Sequence, residues 1–195
     1  FKSEHERARV IGRVFQDPMK GTAPNMTLEE NLAMAYTRSG RHSSMFSRAI
    51  TKEKVKFFRE NLARYNMGIE DRMKTKIGLL SGGQRQVVTL LMCTLSVPKL
   101  LLLDEHTAAL DPATAKKVME ITRTIVEENH ITTMMITHNL QQALDTGNRT
   151  IMMDSGEIVY DVAGEEREKL SVQDLVRLFG EKRNRELTND RMMLG

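Results

Sequence analysis

Residues 100–137 decide the fold: Leu100-Leu101-Leu102-Leu103-Asp104-Glu105-His106, then Ala109-Leu110-Asp111-Pro112, and at the far end Ile131-Thr132-Thr133-Met134-Met135-Ile136-Thr137. Four leucines in a row form a short unbroken apolar run, the pattern of a strand covered on both faces. Asp111-Pro112 supplies an N-cap followed by a proline at the first helical position. In the helix that follows, Val118, Ile121 and Ile125 recur on one face. Ile131 to Thr137 reads as a second buried strand. Strand, helix, strand is a crossover unit.

Outward from this unit the alternation continues. A short helix is expected near Leu140 to Asp145. The strand Thr150-Ile151-Met152-Met153 follows, then a turn at Asp154-Ser155-Gly156 and the strand Ile158-Val159-Tyr160. The alternation implies an α/β fold with a mostly parallel sheet. Ser171 to Phe179 reads as a closing helix, with a charged tail from Glu181. On the amino-terminal side the chain is helical. Thr27-Leu28-Glu29-Glu30 is a capping box opening one helix. Thr51 caps a second, on which Val55, Phe58, Leu62 and Tyr65 form an apolar stripe, with a stop at Asn66-Met67-Gly68. The polar stretch Arg38 to Ser44 reads as the loop between them.

Composition narrows the classes. The chain has 195 residues, 40% hydrophobic, 28% charged and 5% aromatic, too apolar for disorder and too long for a disulfide-stapled miniprotein. The single cysteine, Cys93, excludes a disulfide framework and a cysteine zinc cluster and points to a reducing compartment. No apolar run approaches the roughly 20 residues of a membrane span; the longest, Val87 to Val97, is broken by Thr89, Cys93, Thr94 and Ser96. The net charge of +3 is local: Arg38, Arg41, Arg48, Lys52, Lys54, Lys56, Arg59 and Arg64 face only Glu53 and Glu60. A solvated or partner-facing helix surface is expected for these bases, and nucleic acid is not. A chain that starts at Phe1, without an initiator methionine, reads as a piece of something longer.

Four places carry chemistry. Ser81-Gly82-Gly83-Gln84 stands before a helix, presenting backbone N–H donors at a positive helix end that suits phosphate oxygens. Asp104 ends a strand where open α/β sheets bind ligands and has the oxygen chemistry to hold Mg²⁺. Glu105, one residue on, can orient or deprotonate an attacking water. His138, after the next strand, can donate to a γ-phosphate. Gln16, in Val14-Phe15-Gln16-Asp17-Pro18, carries a neutral amide that can touch a metal-bound water and a partner surface. Each also has a plain structural reading: a loop, an acidic strand end, a structural histidine, an Asp-Pro turn.

Order and spacing together resemble the ATP-binding domain of ABC transporters, from about Val10 to Ile158. Gln16 is similar to the Q-loop glutamine, Leu80 to Gln84 to the signature loop, and Leu100 to Glu105 to Walker B with the catalytic glutamate. Ala109-Leu110-Asp111 resembles the D-loop and His138 the switch histidine. More loosely, Val14 to Pro18, Gly21-Thr22 and Asp104 to Thr107 resemble a bacterial importer-type subgroup labelled for aromatic amino acids. The resemblance implies a P-loop NTPase-like sheet with an inserted helical subdomain. It divides the chain into residues 1–16, core up to the Q-loop; 17–88, helical subdomain with the signature loop; 89–165, the catalytic core; and 166–195, a carboxyl-terminal helix and tail.

The same resemblance implies ATP and Mg²⁺ as cofactors and two such domains sandwiching two ATP molecules. Ser81, Gly82, Gly83, Gln84 and Asp111 would be nucleotide-binding, Asp104 and Gln16 would serve the metal, and Glu105, His138 and Gln16 would be catalytic. A second nucleotide-binding subunit, a membrane permease and a substrate-binding protein are the implied partners, and the cytoplasmic face of the membrane the implied location. Two departures stand out. His106 replaces the family's proline and is read as a structural variant. None of the twelve glycines is followed by lysine, so the phosphate loop G-x-x-x-x-G-K-[ST] does not occur, nor do its flanking strand and helix or the adenine-stacking aromatic. The expectation is an amino-terminally truncated ATPase subunit, poorly soluble alone because part of its sheet is uncovered. The alternative is a regulatory remnant that lends only its signature loop. A DNA-repair ATPase would need a long coiled coil between Gln16 and Ser81, and a translation factor a second cassette; neither is present in these residues.

Overall fold

Parallel strands β1 (Ile11–Val14), β2 (Leu100–Asp104) and β3 (Thr132–Ile136) form a three-stranded sheet in the order β1-β2-β3. Val14 pairs with Leu103 and Asp104 with Ile136, so all three carboxyl ends emerge on one edge. The computed structural model describes residues 3–37 and 50–180. The chain divides into two units, Phe1–Ile136 and Thr137–Gly195.

In the first unit a short helix α1 (Glu4–Ala8) leads into β1. The link from β1 to β2 carries α2 (Leu28–Thr37), α3 (Lys52–Ala63) and α4 (Gly82–Thr94), and β2 returns to β3 through α5 (Pro112–Glu128). The expected caps are in place. Glu30 accepts from both the backbone N–H and the hydroxyl of Thr27 at 2.7 and 2.8 Å, Thr51 caps α3, and Asp111 caps α5. The stop after α3 uses left-handed backbone at Asn66 and Gly68, φ 50° and 64°, which glycine adopts without strain. Tyr36, Phe57 and Phe58 meet ring to ring with centroids 5.6 to 5.9 Å apart, holding α2 to α3. Asn31, fully buried, staples the turn before α2. Its amide oxygen accepts from Ala23 N–H at 2.8 Å, and its nitrogen donates to the carbonyls of Ala23, Met26 and Thr27.

The sheet departs from the expectation of two buried faces. One face is dry: Val14, Leu101 and Leu103 pack with Val87, Leu90 and Leu91 of α4 and Val118, Ile121 and Ile125 of α5 in one core. The other is not. Leu100 and Leu102 are half-buried, and in β3, Met134 and Ile136 are 54% and 56% exposed. Ile131 to Thr137 is therefore not a buried strand: among the described residues β3 is a sheet edge, and α4 and α5 join the core on one side only. Its apolar run reads as buried because sequence cannot tell which face a neighbour covers.

In the second unit α6 (Leu140–Asp145) precedes strands β4 (Arg149–Asp154) and β5 (Glu157–Ala163), then α7 (Gly164–Glu168) and α8 over residues 172–180. Here too the sequence reading is corrected. The last strands do not extend the parallel sheet; β4 and β5 pair antiparallel as a separate two-stranded sheet. The cause is the two-residue turn Ser155-Gly156, both left-handed at φ 47° and 85°, the geometry that matches strand twist in a tight hairpin. Arg167, buried, donates to Thr150 Oγ1 and to the carbonyls of Ala143, Leu144 and Thr146, closing the carboxyl end of α6. The loop Arg38 to Ser44, the bases Arg41 and Arg48, and the tail from Glu181 lie outside the described residues. No helix among the described residues is long and apolar enough to cross a membrane.

Candidate functional site

The edge at the carboxyl ends of β1 and β2 brings together three of the predicted residues. Gln16 follows β1 by two positions, Asp104 ends β2, and Glu105 follows it. Gln16 Nε2 donates to Glu105 Oε2 at 3.2 Å. Glu105 adopts left-handed backbone, φ 45°, and its N–H donates to Ile136 O at 3.0 Å. A non-glycine residue there is uncommon and costs about 1 kcal/mol or more. The bend turns its carboxylate out of the strand register and to Gln16. Asp104 Oδ2 accepts from the Arg13 guanidinium at 2.9 Å, and Arg13 also lies over the Phe15 ring, 4.6 Å from its centroid. Sequence reading missed Arg13. Its signal was an exposed cation on β1 two residues before the loop, where alternation places it on the Asp104 side of the sheet.

The stretch Ser81 to Gln84 forms the first turn of α4. Ser81 is the N-cap, its Oγ accepting from Gln84 N–H at 3.3 Å while Gln84 Oε1 accepts from Ser81 N–H at 3.2 Å. Gln84 is held further by Arg72, which donates to Oε1, and by Met67 O, which accepts from Nε2 at 3.0 Å. The Gln84 amide thus shapes the loop from inside. Ser81 and Gly82 are exposed and Gly83 is buried. Gly82 and Gly83, at the first two helical positions, have N–H groups with no acceptor in the helix, as an oxyanion site requires. Gly83 has a second reason to be glycine: an added Cβ would come within 2.1 Å of Thr114 Cγ2 in α5. The two helix starts touch at this point, and Asp111, capping α5, accepts from Thr114 N–H at 3.0 Å. Hydrogen bonds from the Thr114 side chain and then from its backbone N–H hold the Asp111 carboxyl below its ordinary value.

His138 lies in the second unit, just before α6, whose N-cap Asn139 accepts from Gln142 N–H at 3.0 Å. His106 is buried at 2% exposure, with Nε2 3.1 Å from Thr122 Oγ1. Because Thr122 Oγ1 already donates to Val118 O at 2.8 Å, it accepts from His106, which fixes a neutral Nε2–H tautomer. Burial pushes its pKa down to about 4. His106 is a core residue tying the turn after β2 to α5, in line with its reading as a structural variant.

The expected basic surface is largely neutralised where it is described. Lys56 pairs with Glu60 and Arg59 with Asp71, both at 3.8 Å, and Arg64 with Glu128 at 2.5 Å. The donor set at the β1–β2 edge suits Mg²⁺, which takes few protein oxygens and keeps the rest for water and phosphate. Asp104 supplies a carboxylate, and Gln16 keeps its amide oxygen as an acceptor while its nitrogen serves Glu105.

Comparison with known proteins agrees with this fold. The family model for ABC transporter matches residues 1–108. A tyrosine transport ATP-binding protein of Clostridioides difficile is 43% identical over 177 residues, 91% of this chain and 69% of that protein. A methionine import ATP-binding protein of Streptococcus agalactiae is 32% identical over 178 residues, 89% of this chain but 46% of its own length. Among solved structures, an ATP-binding cassette in a dimeric post-hydrolysis state bound to ADP and Pi aligns with a TM-score of 0.66 at 28% identity, covering 82% of this chain and 65% of that one.

Proposed function

This chain belongs to the ABC transporter family, and from that premise we propose that it serves as the ATP-hydrolysing subunit of an importer. Its sheet and helices have the ABC ATPase fold. The observation that carries the reading is the contact between Gln16 and Glu105 beside Asp104, at the sheet edge where open α/β folds bind ligands. Glu105, turned out of the strand, accepts a proton from the attacking water or orients it. Gln16 holds the Glu105 carboxylate and offers its amide oxygen to a metal-bound water. Asp104 is the carboxylate available to Mg²⁺, which when bound neutralises charge on the phosphates. Ser81, Gly82 and Gly83 present hydroxyl and N–H groups to the γ-phosphate held by a second copy, with Gln84 and Asp111 shaping that surface. His138 is assigned the γ-phosphate contact. The regulatory-remnant alternative is not favoured, since relatives 43% and 32% identical to this chain are named as tyrosine transport and methionine import ATP-binding proteins.

The partners in this reading are a second nucleotide-binding subunit and a membrane permease, with a substrate-binding protein delivering cargo. The subunit works on the cytoplasmic face of the membrane. Residues 17–88 form the permease-facing subdomain, residues 1–16 and 89–165 the core, and 166–195 a carboxyl-terminal element. The 43% identity to a tyrosine transport protein supports an aromatic amino acid as cargo. The test is nucleotide-driven pairing. Made in the natural subunit with a phosphate loop present, Glu105→Gln with ATP and Mg²⁺ should double the mass on sizing, and Ser81→Arg should abolish the shift. A Glu105→Gln subunit that stays monomeric with ATP contradicts the reading.

A further inference from the structure

We propose that Gln86, inside helix α4, is a positioning residue that aims Gln16 at Glu105 and thereby ties the first turn of α4 to the hydrolytic edge of the same chain. The inference rests on the roles given above to Gln16 and Glu105. Gln86 is 1% exposed, and its Nε2 donates to the carbonyl of Phe15 at 3.3 Å. That carbonyl and the N–H of Gln16 belong to one rigid peptide plane. Holding the Phe15 oxygen therefore sets the direction in which the Gln16 backbone, and with it the side chain, leaves β1. The next contact along the line is Gln16 Nε2 to Glu105 Oε2 at 3.2 Å.

The cost of this contact argues that it has a purpose. Gln86 Oε1 is buried and has no hydrogen-bond partner among the described residues. A buried unpaired acceptor is destabilising, and an apolar side chain of the same shape would fill the space without that penalty. The residue spends stability to place one donor on one carbonyl.

The position of Gln86 gives the contact its meaning. It lies five residues beyond the N-cap Ser81, about 7.5 Å along the same helix. A second contact holds α4 to the same strand: Cys93, also buried, donates through Sγ to Arg13 O at 3.2 Å. Arg13 in turn holds Asp104. Helix α4 thus grips the backbone of β1 and its following loop at two points, one leading to Glu105 and the other to Asp104. A displacement of the Ser81 turn on meeting nucleotide would move α4 as a rigid rod and reach Gln16 through Gln86.

The test is a double-mutant cycle in the assembled natural subunit. Gln86→Met keeps the volume and removes both the donor and the unpaired acceptor. It should lower kcat for ATP about tenfold, as displacement of a positioned group does, with KM changed less than about twofold and the melting temperature not lowered. On a Gln16→Ala background the same change should have no further effect. Unchanged kcat in Gln86→Met, or an equal loss on both backgrounds, overturns the proposal. Gln16→Ala alone tests the underlying reading: if kcat survives it, the role of Gln16 fails. The Gln16 side-chain amide signals in nuclear magnetic resonance then still decide the case for Gln86. They should shift in Gln86→Met, and unshifted signals overturn the proposal without reference to turnover.

Discussion

Gln16 and Glu105, 89 positions apart in the chain, meet through a hydrogen bond of 3.2 Å between amide nitrogen and carboxylate. The contact exists because β1 and β2 are adjacent parallel strands in register, Val14 beside Leu103, and because Glu105 departs from the strand through left-handed backbone. Two loops that are far apart in sequence are thereby brought to one edge.

Gly83 is the most sterically restricted position of the α4 turn. A methyl group there would lie 2.1 Å from Thr114 Cγ2, so Thr114 must rotate or the helices must part. Gly83→Ala should cost about 1–3 kcal/mol, read as a fall in thermal midpoint. Thr114→Ser removes the opposing methyl and should restore most of the loss. Equal melting of parent and Gly83→Ala would show that the close approach is not maintained.

Asn31 should be intolerant of change because its amide serves one donor and three acceptors while fully buried. Asn31→Ala leaves the buried Ala23 N–H without its acceptor and removes the second donor from the Ala23, Met26 and Thr27 carbonyls, each of which keeps a backbone N–H, at a cost of about 1–3 kcal/mol. Asn31→Asp should be worse still, since a carboxylate cannot donate to three carbonyls. Denaturant unfolding checks both; Asn31→Asp as stable as the parent would refute the staple.

His106 gives the molecule a pH-dependent stability of known sign. Its pKa falls from 6.5 to about 4 in the fold because it is buried, so the unfolded chain binds the proton first as pH drops. The contribution is complete above pH 6.5 and is lost as pH falls toward about 4. By pH 5 the loss amounts to about 2 kcal/mol. His106→Gln, which can still donate to Thr122, should flatten this part of the profile. Chemical denaturation at pH 7 and pH 5 tests it; identical pH dependence in parent and variant would rule it out.

Much of this was legible in the sequence because the signals are local. Caps at Thr27, Thr51 and Asp111 mark helix starts by side-chain chemistry within three residues, and the structure has each of them. Gln16, Asp104 and Glu105 stand out in the sequence by their places after short strands. What was misread is non-local. The run Ile131 to Thr137 looks buried by composition, yet whether a strand is covered depends on which helices lie over it, and among the described residues one face stays open. The last strands alternate with helices as a parallel sheet would, but the Ser155-Gly156 turn closes them into a hairpin. Gln86, Arg13 and Asn31 escaped notice because a buried glutamine, a strand arginine and a helical asparagine carry no pattern. Their roles come from partners 71, 91 and 8 positions away.

The central claim is that Glu105, held by Gln16, performs the hydrolytic step. The most direct measurement is steady-state ATP hydrolysis by the natural subunit with its membrane partner, comparing the parent with Glu105→Gln, alongside equilibrium binding of ATP. Loss of the base should lower kcat by about a hundredfold or more, with ATP affinity kept within a fewfold range. Hydrolysis by Glu105→Gln at the parental rate would contradict the account.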